Sequence, residues 1–256
     1  MSLDLVKFEI KLATPTVFMS KLTVIIPAFN ESKTILNILQ RVLDVDLIGN
    51  IKKEIVIVDD FSTDATQQVV QQFIDANPIQ EFQYFKMDKN RGKGAAIHKG
   101  IELASGDYVI VQDADLEYDP DEYNILLKPI LNGSSDVVYG SRFIGGKPHS
   151  VMFFGHTLGN KFLTLLSNIF TNLNLTDMET CYKLFKSDVI KSLDLKEQRF
   201  GFEPEVTAKI AKIKGLKIME VGISYYGRTY QEGKKIGWLL TSFKPARGLQ
   251  PLCALT

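Results

Sequence analysis

The sequence predicts an α/β chain with a mainly parallel, Rossmann-like sheet flanked by helices, and three observations carry that prediction. From Leu22 to Tyr139, short β-branched runs alternate with stretches of helical periodicity. Most of the runs are predominantly apolar rather than alternating, as strands covered on both faces are. Polar residues gather directly after the runs, where open parallel sheets bind their ligands.

The first strand is Leu22-Thr-Val-Ile-Ile26, ending at Pro27. Asn30-Glu31-Ser32 offers caps to a helix whose Ile35, Leu36, Ile38, Leu39, Val42 and Leu43 follow helical spacing. Glu54-Ile-Val-Ile-Val58 is a second strand, running into Asp59-Asp60-Phe61-Ser62-Thr63-Asp64. A helix through Val69, Val70 and Phe73, a strand over 82–86 and a helix over 93–104 follow. Next come a strand over 108–111, a helix around 125–131 and a strand over 137–139. Gly145-Gly146-Lys147-Pro148 is a turn-rich link. Beyond it Leu158, Phe162, Leu165, Leu166, Ile169, Phe170 and Leu173 form an apolar helical stripe opposite Asn160, Lys161, Thr164, Ser167 and Thr171. A core-facing amphipathic helix is the plain reading of that stripe, and a helix lying at a membrane surface the sharper one. A helix after Pro204 and a strand over 217–223 complete the pattern.

Composition narrows the function. With 30 basic and 30 acidic residues the formal charge is zero, which gives no electrostatic case for nucleic acid. Cys181 and Cys253 make neither a disulfide framework nor a zinc pattern, and a reducing cytoplasm is the expected setting. No run of apolar residues reaches membrane-spanning length. Asp4, Lys7, Glu9 and Lys11 are wrong for a secretory signal, so residues 1–20 are an N-terminal extension.

The chemistry centres on Val109-Ile-Val-Gln-Asp-Ala-Asp-Leu-Glu-Tyr-Asp-Pro120. Asp113, Asp115 and Glu117 stand at alternate positions, and in an extended segment alternate residues point the same way. Carboxylates converging so closely repel, and a divalent cation relieves them, while a solvated acidic loop is the plain alternative. Gly92-Lys-Gly-Ala-Ala-Ile97 is a weak dinucleotide fingerprint, since Ile97 replaces its third glycine. Gly227 to Lys234 fails as a P-loop on spacing and lacks a Ser or Thr after the lysine. Tyr225 to Gly237 is a polar, glycine-rich stretch with Arg228, Lys234 and Lys235, suited to folding over a phosphate or to lying solvated.

Pro27-Ala-Phe-Asn-Glu31, Val58-Asp-Asp-Phe-Ser-Thr-Asp64, Asn90-Arg-Gly-Lys-Gly94, Gln112-Asp-Ala-Asp-Leu-Glu117 and Gly140-Ser-Arg-Phe143 occur in the order seen in family 2 glycosyltransferases. The chain most resembles the dolichol-phosphate mannose synthase branch and its bacterial polyprenyl-phosphate relatives. The resemblance implies a GT-A fold over residues 21–237 with a C-terminal acceptor-side subregion, and leaves 238–256 as a tail. It implies nucleotide contacts from Pro27, Phe29, Glu31, Val58, Asp60, Lys93, Asp113 and Ala114. Asp113, Asp115 and Glu117 match the segment that binds Mg2+ or Mn2+; relatives often carry glutamine at the place of Glu117. Asp115, Arg142, Arg228 and Lys234 match the family's catalytic groups, Arg142 as an arginine that meets phosphate and Arg228 with Lys234 as the basic pair of a closing loop. Asp177-Met-Glu-Thr-Cys-Tyr-Lys183 falls where the acceptor site is expected, with Lys183 in place of a common arginine.

The activity so implied is inverting transfer of a mannose- or glucose-type hexose from a GDP- or UDP-sugar to a polyprenyl phosphate. A peripheral enzyme at the cytoplasmic face of the membrane is expected. The same fold also serves transfer to a saccharide hydroxyl, which needs a general base, with Glu179, Glu203 and Glu205 as candidates. A nucleotide-sugar-binding domain without turnover is the non-enzyme alternative. A pyrophosphorylase is disfavoured, because Pro27-Ala-Phe-Asn-Glu31 lacks the glycine- and arginine-rich loop that class needs.

Overall fold

The structure, a computed structural model, describes residues 20–146, 148 and 154–227. The N-terminal extension up to residue 19, the tail 238–256, Arg228 and Lys234 lie outside the described residues.

The first half alternates as the periodicity requires: β1 (Lys21–Ala28), α1 (Ile35–Asp44), β2 (Lys52–Asp59), α2 (Thr66–Ala76), β3 (Glu81–Lys86), α3 (Lys93–Leu103) and β4 (Tyr108–Val111). Then come α4 (Tyr123–Leu131), β5 (Val137–Ser141), α5 (Phe154–Thr171), β6 (Lys183–Lys186), α6 (Ser187–Lys191), α7 (Phe202–Ile210) and β7 (Ile218–Gly222). The strands form one sheet in the order β3-β2-β1-β4-β6-β5-β7. β6 alone runs antiparallel to its neighbours β4 and β5. The other strands share one direction, so their C-terminal ends open on one edge.

β1 lies in the middle of the parallel half and shows why uninterrupted apolar runs fold this way. Leu22, Val24, Ile25 and Ile26 are fully buried on both faces. Ile35, Ile38, Leu39 and Val42 bring the apolar side of α1 into the core. Each such aliphatic side chain contributes roughly 1.5–3 kcal/mol by leaving water. Low on the sheet, the buried Glu54 carboxylate is satisfied by the Thr23 hydroxyl, by the Ser105 amide at 2.8 Å and hydroxyl at 2.7 Å, and by Gln83 at 2.8 Å. That cluster locks β1, β2 and β3 at the end away from the loops, leaving the opposite edge for a ligand.

The apolar stripe of α5 does not face the core. Leu158, Phe162, Leu165, Ile169 and Phe170 are all exposed, Phe170 at 85%. The polar side points inward: Thr164 is buried, Asn160 donates to Asp177 at 3.1 Å, and Asn168 bonds both the carbonyl and the amide of Leu175. The plain core-facing reading of the stripe is therefore wrong for Leu158, Phe162, Leu165, Ile169 and Phe170, although Leu163 and Leu173 do pack against the core. Among the described residues no helix is long and apolar enough to cross a membrane.

Candidate active site

The loops after β1 and β2 are stitched together by the residues that the motifs pick out. The Asn30 amide donates to Ser62 Oγ at 2.9 Å, and the Thr63 amide to Asn30 Oδ1 at 2.9 Å. The Glu31 amide donates to Thr66 Oγ1, also at 2.9 Å. Phe61 is held at a φ of 68°, uncommon for a bulky residue, by the Ser62 amide bonding Asp59 Oδ1 at 2.7 Å. Phe29 and Phe61 stay exposed on these loops beside a half-buried Pro27, offering flat apolar faces. Burial pushes the Asp64 carboxyl up, but bonds from Thr66 and Ser32 outweigh it and hold the group down at about 2.

Two expected nucleotide contacts are occupied differently. Val58 is fully buried against Val56 and Ala96, so its side chain serves packing and not a ligand. Asp60 accepts the amides of Arg91 and Gly92, each at 2.7 Å, which fastens the turn before α3. That turn is not a phosphate cradle. The Ala95 amide at the start of α3 already donates to the Gln198 carbonyl at 2.9 Å. Gly92, at φ 100°, is small because a Cβ there would lie 2.8 Å from that same carbonyl oxygen. The glycines admit the backbone of residues 197–199, which disposes of the dinucleotide fingerprint.

The acidic segment after β4 is a turn rather than an extended strand end, with Leu116 at a φ of 60°. Alternation therefore does not align its carboxylates. Asp113 pairs with Lys93 at 2.7 Å; Glu203 stands 3.8 Å from the same ammonium and Cys181 Sγ 3.8 Å. Burial pushes the Lys93 ammonium down, yet Asp113, Cys181 and Glu203 together hold it well above the ordinary lysine value. Ala114 is buried in the core. Asp115 Oδ1 accepts the Glu117 amide at 3.3 Å, and Glu117 Oε2 accepts the Tyr225 hydroxyl at 2.8 Å. Among the described residues no three His, Cys, Asp or Glu side chains are grouped to hold a metal ion, so the expected cage of Asp113, Asp115 and Glu117 is not assembled.

Arg142 lies just past β5 with its guanidinium largely buried. Asp177, fully buried, takes Nε and Nη2 at 2.7 Å each in a two-point pair. The guanidinium also lies 5.2 Å from the Tyr225 ring centre. Spacing could not reveal this partnership, since Asp177 sits far along the chain from Arg142, beyond α5.

The family model for glycosyl transferase family 2 matches residues 23–194, well over half of the chain. The chain belongs to glycosyl transferase family 2. It is 29% identical to a dolichol-phosphate mannosyltransferase of Pyrococcus furiosus over 84% of its own length and 60% of that protein. It is 30% identical to an uncharacterised protein of Methanocaldococcus jannaschii, over 83% of this chain and 93% of that one. A low-salt glycan biosynthesis hexosyltransferase of Haloferax volcanii is 28% identical, over 86% of this chain and 51% of the relative. The chain thus spans about half to three fifths of the two named enzymes. Glucosyl-3-phosphoglycerate synthase from Mycobacterium tuberculosis, solved with Mn2+, UDP and phosphoglyceric acid, superposes with a TM-score of 0.63 at 18% identity. That match covers 83% of this chain and 73% of the synthase. A Pyrobaculum calidifontis mannosyltransferase, solved with GDP-mannose and Mn2+, gives 0.59 at 19% identity, over 82% and 57% of the two chains. The fold is GT-A.

Within this family 2 domain the structure separates the three glutamates proposed as bases. Glu205 accepts the amides of Lys196 and Glu197, the latter at 2.8 Å, and pairs with Lys209 at 2.8 Å, which makes it a structural acid. Glu203 is buried near Lys93. Glu179 differs: burial, then the Glu203 carboxylate, push it up to about 7 against the pull of Lys183 and Arg142. Lys183 itself opens β6 fully buried, and its ammonium bonds the Thr180 carbonyl.

Proposed function

We propose that this family 2 domain is a metal-dependent, inverting glycosyltransferase that moves a hexose from a GDP- or UDP-sugar to a polyprenyl phosphate. The observation that carries the lipid acceptor is α5. Its inner side bonds Asp177, the partner of Arg142, while its outer side exposes Leu158, Phe162, Leu165, Ile169 and Phe170. An apolar surface therefore sits on the helix that backs the phosphate-side arginine. No Asp or Glu occurs from Val137 to Thr176, while Lys147 and Lys161 do, which suits an anionic lipid surface. The dolichol-phosphate mannosyltransferase relative supports the same acceptor class.

The acids fit a metal of the kind present in the solved neighbours with nucleotides. Mg2+ is commonly held by one or two carboxylates plus substrate phosphates rather than by an all-protein cage. Asp115, with Asp113 and Glu117 on the same turn, would supply such hard oxygen ligands. When bound there, the ion offsets the negative charge growing on the departing diphosphate. Phe29 and Phe61 offer faces for the base, with Glu31 on the same loop. A phosphate monoester has a second pKa of about 6 and is largely dianionic near neutral pH, so it needs positioning rather than deprotonation. Arg142 is the arginine assigned to that positioning, with Arg228 and Lys234 as further candidates. Attack from behind the anomeric carbon inverts it.

One observation favours a second reading. A carboxyl at about 7 is tuned for general-base work, and Glu179 would take the proton of a saccharide hydroxyl. The deciding experiment gives the protein Mn2+, GDP- and UDP-sugars, and either polyprenyl phosphate in vesicles or soluble saccharides. Glycolipid formation supports the first reading. Glycosylation of a soluble sugar with no product on the lipid overturns it.

A further inference from the structure

The hydroxyl of Tyr225 has a function that packing does not explain. Its ring is buried, lies under the Arg142 guanidinium at 5.2 Å, and meets Tyr118 edge-on at 5.4 Å. A phenylalanine would fill that space equally well. The hydroxyl adds one bond, 2.8 Å to Glu117 Oε2. The neighbouring backbone reinforces it. The Tyr226 amide donates to the Glu117 carbonyl at 2.9 Å, and the Ser224 amide bonds both Glu122 carboxylate oxygens at 3.0 and 2.9 Å. The residues just past β7 are thus clamped along the acidic turn that follows β4.

One side chain therefore touches both sides of the proposed site, Glu117 on the metal-nucleotide side by its hydroxyl and Arg142 on the acceptor-phosphate side by its ring. We infer that Tyr225 is a positioning residue that fixes the carboxylate side of the site relative to its guanidinium side, with Glu117 oriented by the Tyr225 hydroxyl. The inference rests on the metal-nucleotide reading above and assigns Tyr225 a part in it. The hydroxyl aims one Glu117 oxygen away from free rotation, so the carboxylate meets a cation with less ordering still to be done. The ring lies against the guanidinium, and Asp177 holds its edge.

The test uses Tyr225→Phe, Glu117→Gln and the double variant, with Mn2+ binding read by electron paramagnetic resonance at fixed GDP and, separately, fixed UDP. Without the hydroxyl the Glu117 carboxylate must be ordered by the cation itself, so Tyr225→Phe should weaken Mn2+ binding by roughly three- to ten-fold. Its thermal unfolding should fall only by what one hydrogen bond contributes, because the ring still packs. In the double variant the two losses should not multiply, since an amide in place of the Glu117 carboxylate leaves the Tyr225 hydroxyl no charged ligand to orient. Equal Mn2+ affinity for Tyr225→Phe and wild type overturns the inference, as do losses that multiply in full. A wild type that binds no Mn2+ with either nucleotide overturns the metal-nucleotide reading and the inference with it, which separates the two failures.

Discussion

Glu179→Gln isolates the most displaced carboxyl in the candidate site. Burial first, and then the facing Glu203 carboxylate on α7, raise Glu179 from the ordinary 4.5 to about 7, while Lys183 on β6 and Arg142 after β5 oppose the rise. Asp177 adds a smaller upward push. A raised folded value means that the native state holds a proton which the unfolded chain has already lost between those two values. The stabilisation is complete below about pH 4.5 and disappears as pH climbs through about 7. A rise of this size is worth about 3 kcal/mol, an upper figure for a side chain that keeps partial contact with water. Glutamine carries no charge at any pH and removes the effect. Urea unfolding followed by circular dichroism at about pH 5 and about pH 8 should show wild type losing up to about 3 kcal/mol more than the variant over that interval. Parallel curves for the two proteins would refute the burial argument. The same pair divides the acceptor readings. With a saccharide acceptor, activity should rise through about pH 7 in wild type and lose that limb in the variant, whereas a phosphate acceptor owes no such limb to Glu179.

Asp177→Asn strips the buried Arg142 of its charge partner and should cost about 3–5 kcal/mol in chemical unfolding, since an uncompensated ion is left inside. Phe162→Asp with Ile169→Asp should leave stability within about 0.5 kcal/mol, because both side chains already face water, yet abolish co-sedimentation with anionic vesicles; retained sedimentation would remove α5 as the lipid-facing element. Gly94→Ala forces a Cβ onto the Glu197 carbonyl and to 2.8 Å from the Gln198 carbonyl carbon, so thermal unfolding should show a loss of about 1–3 kcal/mol.

The parallel half of the sheet was legible because its strands advertise themselves. Tyr108–Val111 is apolar, short and closed by acids, and β4 occupies those residues. β6 was not legible. Lys183-Leu-Phe-Lys186 is flanked by lysines and lacks alternation, and it joins the sheet by pairing with β4 and β5 instead of by any local signal. The α5 stripe could be read from spacing, but spacing gives a face and not the side it turns to. Composition held the missing clue: apart from Lys161, which stays exposed, the polar residues Asn160, Thr164, Ser167, Asn168 and Thr171 are uncharged, whereas a water-facing side usually carries more charge. Such residues can satisfy buried backbone and carboxylate partners, as Asn160 and Asn168 do. In the candidate site, the sequence could name motif positions but not the bonds between them. Arg142 with Asp177 and Glu117 with Tyr225 join loops after different strands, and only the closed sheet brings them together.

Crowded carboxylates at the strand ends suggested a cation as their remedy, yet most of them are relieved by the protein. Asp59 takes the Ser62 amide and the Tyr84 hydroxyl, Asp60 two amides, Asp113 the Lys93 ammonium, and Asp119 the Arg41 guanidinium. The protein therefore offers a metal few oxygens of its own, and on the proposed function a bound ion would complete its coordination from diphosphate and water. Affinity for Mn2+ alone should then be weak, and GDP or UDP should raise it. Linkage requires that Mn2+ raise nucleotide affinity by the same factor. Calorimetric titrations in both orders measure the two factors. Tight Mn2+ binding without nucleotide would mean that the acids close into a cage of their own, and unequal or absent coupling would mean that metal and diphosphate do not share a site.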